Sequence, residues 1–189
     1  MELGFDALGI THRQLADDEA HLQQWLADGM HGEMQWMASH GTKRSRPEEL
    51  VPGTVTVLSV RMNYLTPGED PETVLNDSSL GYISRYALGR DYHKVMRPRL
   101  QKLADKITEE VGDFGYRAFV DSAPVLEKAL ARNAGLGWIG KNTNLINKDQ
   151  GSFFFLGELL TDLPLPVKLP DATPTSCGSC TDCIPACPT

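Results

Sequence analysis

Apolar residues recur along this chain at two different spacings, and each change of period marks an element. Leu15, Leu22, Trp25 and Leu26 fall on one face of a helix that stops near Gly29. Met96, Leu100, Leu103, Ile107 and Val111 recur at three and four residues, the pattern of a long amphipathic helix that Pro98 either opens or kinks. A third helix is predicted over 123–134, with Pro124 in its first turn and Gly135 as its stop. Short helical stretches are predicted over 33–39, where Met34, Trp36 and Met37 read as packing residues, and over 47–50, closed by Pro52 and Gly53. The β-branched run TVTVLSV at 54–60 predicts a buried strand. Further strands are predicted over 116–120 and over 153–160 (FFFLGELL), the last interrupted at Gly157. Segment 80–86 reads as a strand or an extended stretch, 67–79 as a polar loop and 136–144 as a glycine-rich loop.

The picture is an α+β domain over 1–162. Segment 163–175 carries Pro164, Pro166, Pro170 and Pro174 and reads as an extended linker. It leads to a small cysteine-bearing segment, 176–189.

Composition narrows the class. The 189 residues are 41% hydrophobic and 23% charged, enough for one domain with a real core and a small appendage. A net charge of −7 argues against a broad nucleic-acid surface, although Lys43, Arg44 and Arg46 form one basic cluster. Arg85, Arg90, Lys94, Arg97, Arg99 and Lys102 form another. Such clusters are commonly solvated faces. No apolar run reaches membrane-span length, and residues 1–10 lack the charge and apolar pattern of an export signal. A cytoplasmic protein with reduced cysteines and no membrane association is expected.

The sharpest chemical signal is Cys177, Cys180, Cys183 and Cys187, followed by Pro188. The spacing C-x2-C-x2-C-x3-C-P is that of bacterial 4Fe–4S ferredoxins, in which the fourth cysteine serves a second cluster. These four thiolates therefore complete neither cluster, and a longer protein is expected. Zinc is the alternative, although zinc sites pair separated knuckles or add histidines. A disulfide framework suits neither the bunching nor the expected compartment.

Three other stretches carry candidate chemistry. In Val120-Asp121-Ser122-Ala123-Pro124 a strand gives way to a helix, a position where α/β sheets place ligands and where Asp or Ser also caps helices. A helix N-terminus favours a carboxylate, so acid chemistry at Asp121 requires a bulky ligand that displaces water. Gly135-x-Gly137-x-x-Gly140-Lys141 follows a helix instead of opening one after a strand. It is therefore no dinucleotide fingerprint, and reads either as backbone approaching a large flat ligand or as a plain turn. In Ser84–Lys94 (SRYALGRDYHK), arginine forks suit phosphate or carboxylate, while Asp91 suits a helix cap.

Taken together, HGEMQWM, SRPEELVPG, SVRMNY, SRYALGRDYHK, VDSAP, AGLGWIGKNTN, GSFFFLGELL and the cysteine run resemble the epoxyqueuosine reductase family across the whole chain. The resemblance implies a nitroreductase-like cobalamin-binding domain followed by the first half of a ferredoxin-like two-cluster module. It implies reduction of the epoxide of epoxyqueuosine in tRNA to queuosine, by cob(I)alamin fed from two 4Fe–4S clusters. Asp121 is implied as the proton donor. Arg44, Arg85, Tyr86, Asp121, Lys141, Asn142, Thr143 and Ser152 are implied cobalamin contacts, and Cys177, Cys180, Cys183 and Cys187 cluster ligands. No DxHxxG-type motif is present, so His93 is a poor candidate for a lower cobalt ligand. A monomer is implied, with an electron-donor protein and a tRNA bearing epoxyqueuosine at its anticodon as partners. The second cysteine set and a helical-repeat tRNA-binding region would follow Thr189, so these 189 residues alone are expected to bind cobalamin without turning over. Two other readings compete: a flavin-dependent nitroreductase-like enzyme with a fused ferredoxin, and a non-catalytic electron carrier.

Overall fold

The computed structural model describes residues 2–167 and 177–187. Four antiparallel strands form the central sheet: β1 (Ala7–His12), β2 (Thr56–Asn63), β3 (Tyr116–Phe119) and β6 (Phe154–Thr161), in the order β1-β2-β6-β3. The pleat sorts their side chains. Leu58, Val60 and Leu159 turn to one face, where Met96, Leu100 and Ala104 of helix α4 (Tyr92–Val111) cover them. Val57, Leu160 and Phe119 turn to the other, against Ala129 and Leu130 of α5 (Glu127–Asn133) and Leu15, which precedes α1 (Ala16–Ala27). Each such large side chain contributes roughly 1.5–3 kcal/mol by burial. The result is a mixed α/β fold with helices on both sheet faces.

Helix α4 begins earlier than its apolar pattern suggests, because the Asp91 side chain caps it by accepting the His93 backbone N–H at 3.0 Å. Pro98 lies inside it rather than at its start. Pro98 and Lys94, whose carbonyl loses its helical donor, are both exposed, so water can serve that carbonyl. Strand β6 runs unbroken through Gly157; a Cβ there would lie 3.0 Å from the Met96 methyl, so glycine admits α4 rather than interrupting the strand.

Other expectations are corrected. Helix α5 starts at Glu127, not at 123, because the backbone just before it is committed elsewhere. The N–H groups of Ser122, Ala123 and Val125 close tight turns on Val120, Asp121 and Ala123, and the Leu126 N–H donates to the Arg44 carbonyl at 3.1 Å. The expected loop at 67–79 contains α3 (Pro71–Asn76), capped by Asp70 with Pro71 in its first turn. The expected loop at 136–144 contains β4 (Trp138–Ile139), which pairs with β5 (Leu145–Ile146) in a hairpin. Segment 80–86 forms no strand and runs into a single 3-10 turn, Arg85–Ala87. Segment 33–39 holds only a 3-10 turn, Gln35–Met37, and Trp36 is 58% exposed rather than packed.

Residues 163–167 lie along the sheet, where the Thr56 hydroxyl donates to the Leu163 carbonyl at 2.6 Å. The remainder of the expected linker, 168–175, lies outside the described residues, as do 176, 188 and 189 of the cysteine-bearing segment. Residues 177–187 fold as consecutive turns. Among the described residues, no helix is long and apolar enough to cross a membrane.

Candidate active site

Two hollows adjoin at the start of α5 and share Asp121, Glu127 and Lys128. The larger, ≈ 560 Å³, has a mainly apolar wall that includes Trp36, Met37, Leu126, Ala129 and Ile139, with Arg44 and Thr143 also lining it. The smaller, ≈ 200 Å³, is lined by Tyr92, Asn144, Ser152 and Phe155 among others. Asp121 stands where they meet.

Asp121 owes its position to an unusual backbone. Its φ is 55°, in the left-handed region that an aspartate tolerates better than most residues. It caps no helix, because the N-cap of α5 is Leu126 and makes no side-chain cap bond. The Tyr92 hydroxyl donates to Asp121 Oδ2. His93 Nε2 lies 3.6 Å from the same oxygen, and its Nδ1 lies 2.9 Å from Asp91 Oδ1. The Tyr92 ring stacks on Phe155 at 4.0 Å and 6°. Burial, then the bond to Asp121, raises the Tyr92 hydroxyl well above the ordinary phenol range. Tyr92 therefore serves as a donor. Burial together with the Asp121 charge pushes the Glu127 carboxyl up to about 7.

Arg44 is 6% exposed. Its Cζ lies 5.5 Å from the centre of the Trp36 ring, and Nη2 donates to the Trp36 carbonyl at 3.2 Å. Its buried Nε has no partner among the described residues, leaving a donor for an anionic or amide-bearing ligand. Thr143, at φ 64°, accepts Lys128 Nζ on its carbonyl at 2.8 Å.

The other expected contacts lie elsewhere. Arg85 donates to the Glu69 carbonyl and lines a separate surface hollow with Tyr82 and Leu88. Tyr86 is 53% exposed and lines neither cleft hollow. The Asn142 side chain closes a local turn, accepting the Asn144 N–H at 3.1 Å. Lys141 reaches the cysteine turns, where Nζ donates to the carbonyls of Gly178 at 3.0 Å and Cys180 at 2.8 Å. The glycines before it serve the chain itself. Gly135, at φ 77°, ends α5 in a Schellman motif, and a Cβ on Gly137 would meet the Ile146 carbonyl.

The neighbouring Lys141 backbone N–H, then the Trp138 indole and the Lys141 charge, hold the Cys177 thiol below the ordinary thiol range. Cys177, Cys180 and Cys183 are in no disulfide. Among the described residues, no three His, Cys, Asp or Glu side chains converge as a metal site.

Sequence reasoning missed Tyr92, Glu127 and Trp36 as lining residues. Tyr92 stood within the SRYALGRDYHK stretch, but only the fold brings it to Asp121. Glu127 carried no separate signal.

Residues 44–122 match the family model described as epoxyqueuosine reductase QueG, DUF1730. The chain is 62% identical to an epoxyqueuosine reductase of Xanthomonas campestris pv. campestris and 60% identical to one of Pseudomonas aeruginosa. Each match covers 100% of this chain, and 53% and 52% of the relative. The chain thus spans about half the length of the curated relatives it matches. An epoxyqueuosine reductase solved with an epoxyqueuosine-modified tRNA stem loop superposes with TM-score 0.85 at 26% identity, over 100% of this chain and 49% of that one. The Bacillus subtilis enzyme, with its catalytic aspartate loop swung out of the active site, superposes with TM-score 0.84 at 26% identity, again over 100% and 49%. A reductive dehalogenase shares the fold alone, with TM-score 0.51 at 18% identity over 90% of this chain and 19% of that one. In sequence and in fold, this chain is similar along its whole length to about half of an epoxyqueuosine reductase.

Proposed function

We propose that this chain is the cofactor-binding and acid-supplying portion of a reductase that converts the epoxide of epoxyqueuosine in tRNA to the alkene of queuosine. The observation that carries the reading is Asp121, held out on a left-handed backbone at the meeting point of two hollows and gripped by Tyr92. The relative with a catalytic aspartate loop supports it.

The larger hollow suits a corrin. Its apolar wall accepts a flat ring, and the unpartnered Arg44 Nε and the Thr143 segment offer polar contacts at the edge. Ser152 lies on the adjoining hollow. Both His93 ring nitrogens face carboxylates, so His93 would not be among the residues that hold the cofactor. The cysteine run, with Lys141 anchored on its Gly178 and Cys180 carbonyls, has the donor chemistry of an iron–sulfur site. The chemistry such groups supply when bound is reduction: single electrons from the clusters and a strongly reducing cobalt from the corrin.

The chain's own residues handle the proton. Converting an epoxide to an alkene and water consumes two electrons and two protons. Asp121 gives a proton to the departing oxygen, Tyr92 orients the Asp121 carboxyl, and the apolar wall excludes water. We assign residues 1–162 to the nitroreductase-like cofactor domain, 163–175 to a linker and 176–189 to the opening of a ferredoxin-like module. The donors would be low-potential one-electron carriers, and the partner a tRNA in the cytoplasm.

The test is turnover of epoxyqueuosine-bearing tRNA by a protein of its relatives' full length. Asp121→Asn should retain cobalamin and lose about 10²–10⁴ in rate. Turnover at the unsubstituted rate would refute the acid role.

A further inference from the structure

Two carboxyl groups behind Asp121 are unused by the reading above. Glu127, the first residue of α5, lines both hollows together with Asp121. Glu158 lies mid-strand on β6, opposite Ser59 of β2 and Phe119 of β3 in the register. It has no exposed surface, and neither carboxyl oxygen has a hydrogen-bond partner among the described residues. Burial and the Glu127 charge hold Glu158 protonated well above the usual carboxylate range.

The chemistry needs what this arrangement offers. Two protons are consumed per turnover, and Asp121 carries one. We propose that Glu127 is a proton store that recharges Asp121, with the neutral Glu158 behind it. The inference rests on the acid role of Asp121. In the transfer the Glu127 O–H bond breaks and an Asp121 O–H bond forms. Glu127 then takes a proton from water entering the smaller hollow. No electron moves in this step; both electrons come from the one-electron donors named above. Glu127 acts through Asp121 and need not touch the substrate.

The surrounding charges leave Glu127 available. Lys128, its neighbour on α5, donates to the Thr143 carbonyl. From β2, Arg61 donates to the Leu136 carbonyl. From α1, Asp18 lines the larger hollow but is paired with Arg132 at 2.8 Å. Arg44 lies on the same hollow, and Tyr92 of α4 on the smaller one donates to Asp121.

A carboxyl-carbon NMR titration of this chain, labelled at glutamate, reads the store directly. One glutamate should titrate in the neutral range. That signal should vanish in Glu127→Gln and shift to lower pH in Asp121→Asn, which removes the neighbouring charge. Glu127 titrating with the exposed glutamates would overturn the proposal. A protein of full relative length supplies the second readout. Glu127→Gln should keep its cobalamin and lose about tenfold in turnover above neutral pH, with Glu127→Asp restoring much of the loss. If Glu127 titrates near neutrality but Glu127→Gln leaves the pH profile unchanged, the store fails alone. If Asp121→Asn turns over at the unsubstituted rate, the acid role fails and the store fails with it.

Discussion

The Tyr92 hydroxyl donates to Oδ2 of Asp121, joining the first residue of a twenty-residue helix to the loop that presents the proposed acid. Tyr92 is itself fixed by its stack on Phe155 in the central sheet. The orientation of Asp121 is thus referred back to the core through one phenol ring. Tyr92→Phe keeps the stack and deletes the donor. Its thermal midpoint should stay close to that of the unsubstituted protein. Turnover in a full-length protein should drop about tenfold, the worth of one hydrogen bond to a charged group. Equal rates would show that Asp121 is oriented by other means.

Stability should fall as pH rises through neutrality, opposite to the usual behaviour of carboxylates. Glu127 has a folded-state value of about 7 against an ordinary 4.5, so between these values the folded chain holds more protons than the unfolded one. Unfolding free energy then declines with rising pH. The decline should amount to roughly 3–4 kcal/mol in all, at about 1.4 kcal/mol per unit. Glu158 extends it to higher pH. Glu19, held down to about 2 chiefly by Arg46, acts in the opposite sense but only as pH falls below its unfolded value. Urea unfolding at about pH 5.5 and pH 8 checks this, and Glu127→Gln should flatten the slope.

Arg44 should matter for binding more than for folding. Its guanidinium is buried, its Nε is unpartnered, and burial lowers its affinity for its proton. Arg44→Met preserves most of the volume against Trp36 and removes the donors. Cobalamin affinity, measured by absorbance titration, should weaken about tenfold or more.

Lys141 is predicted to hold the cysteine turns rather than the cofactor. Its ammonium binds two carbonyls in that segment. Lys141→Ala should speed amide exchange across 177–187 while leaving exchange in β2 and β6 unchanged. Uniform exchange in both proteins would show that the turns hold without it.

The central architecture was legible where one physical signal dominated. The β-branched run at 54–60 and the three-and-four spacing from Met96 to Val111 located β2 and α4 because burial on one face imposes those periods. Strand β1 escaped notice, since it is a half-buried edge strand with Gly9 in its centre. Asp121 was legible from its strand-to-helix context, yet its cap role was not realised, because the turns at 122–126 consume the backbone donors before α5 begins. Arg44, Thr143 and Ser152 do reach the cleft, whereas Lys141 reaches the cysteines instead. Such long-range placement depends on tertiary contacts that leave no local pattern. Glu158 was read only as part of an apolar strand, and its place opposite Ser59 and Phe119 follows from the β2–β6–β3 register.

The most direct test of the account is anaerobic titration of this chain with cob(II)alamin, followed by electron paramagnetic resonance and repeated with Arg44→Met. The account predicts a saturable, base-off cobalt signal in the unsubstituted chain and weaker binding in the variant. A cobalt spectrum unchanged by the protein at any concentration would contradict it.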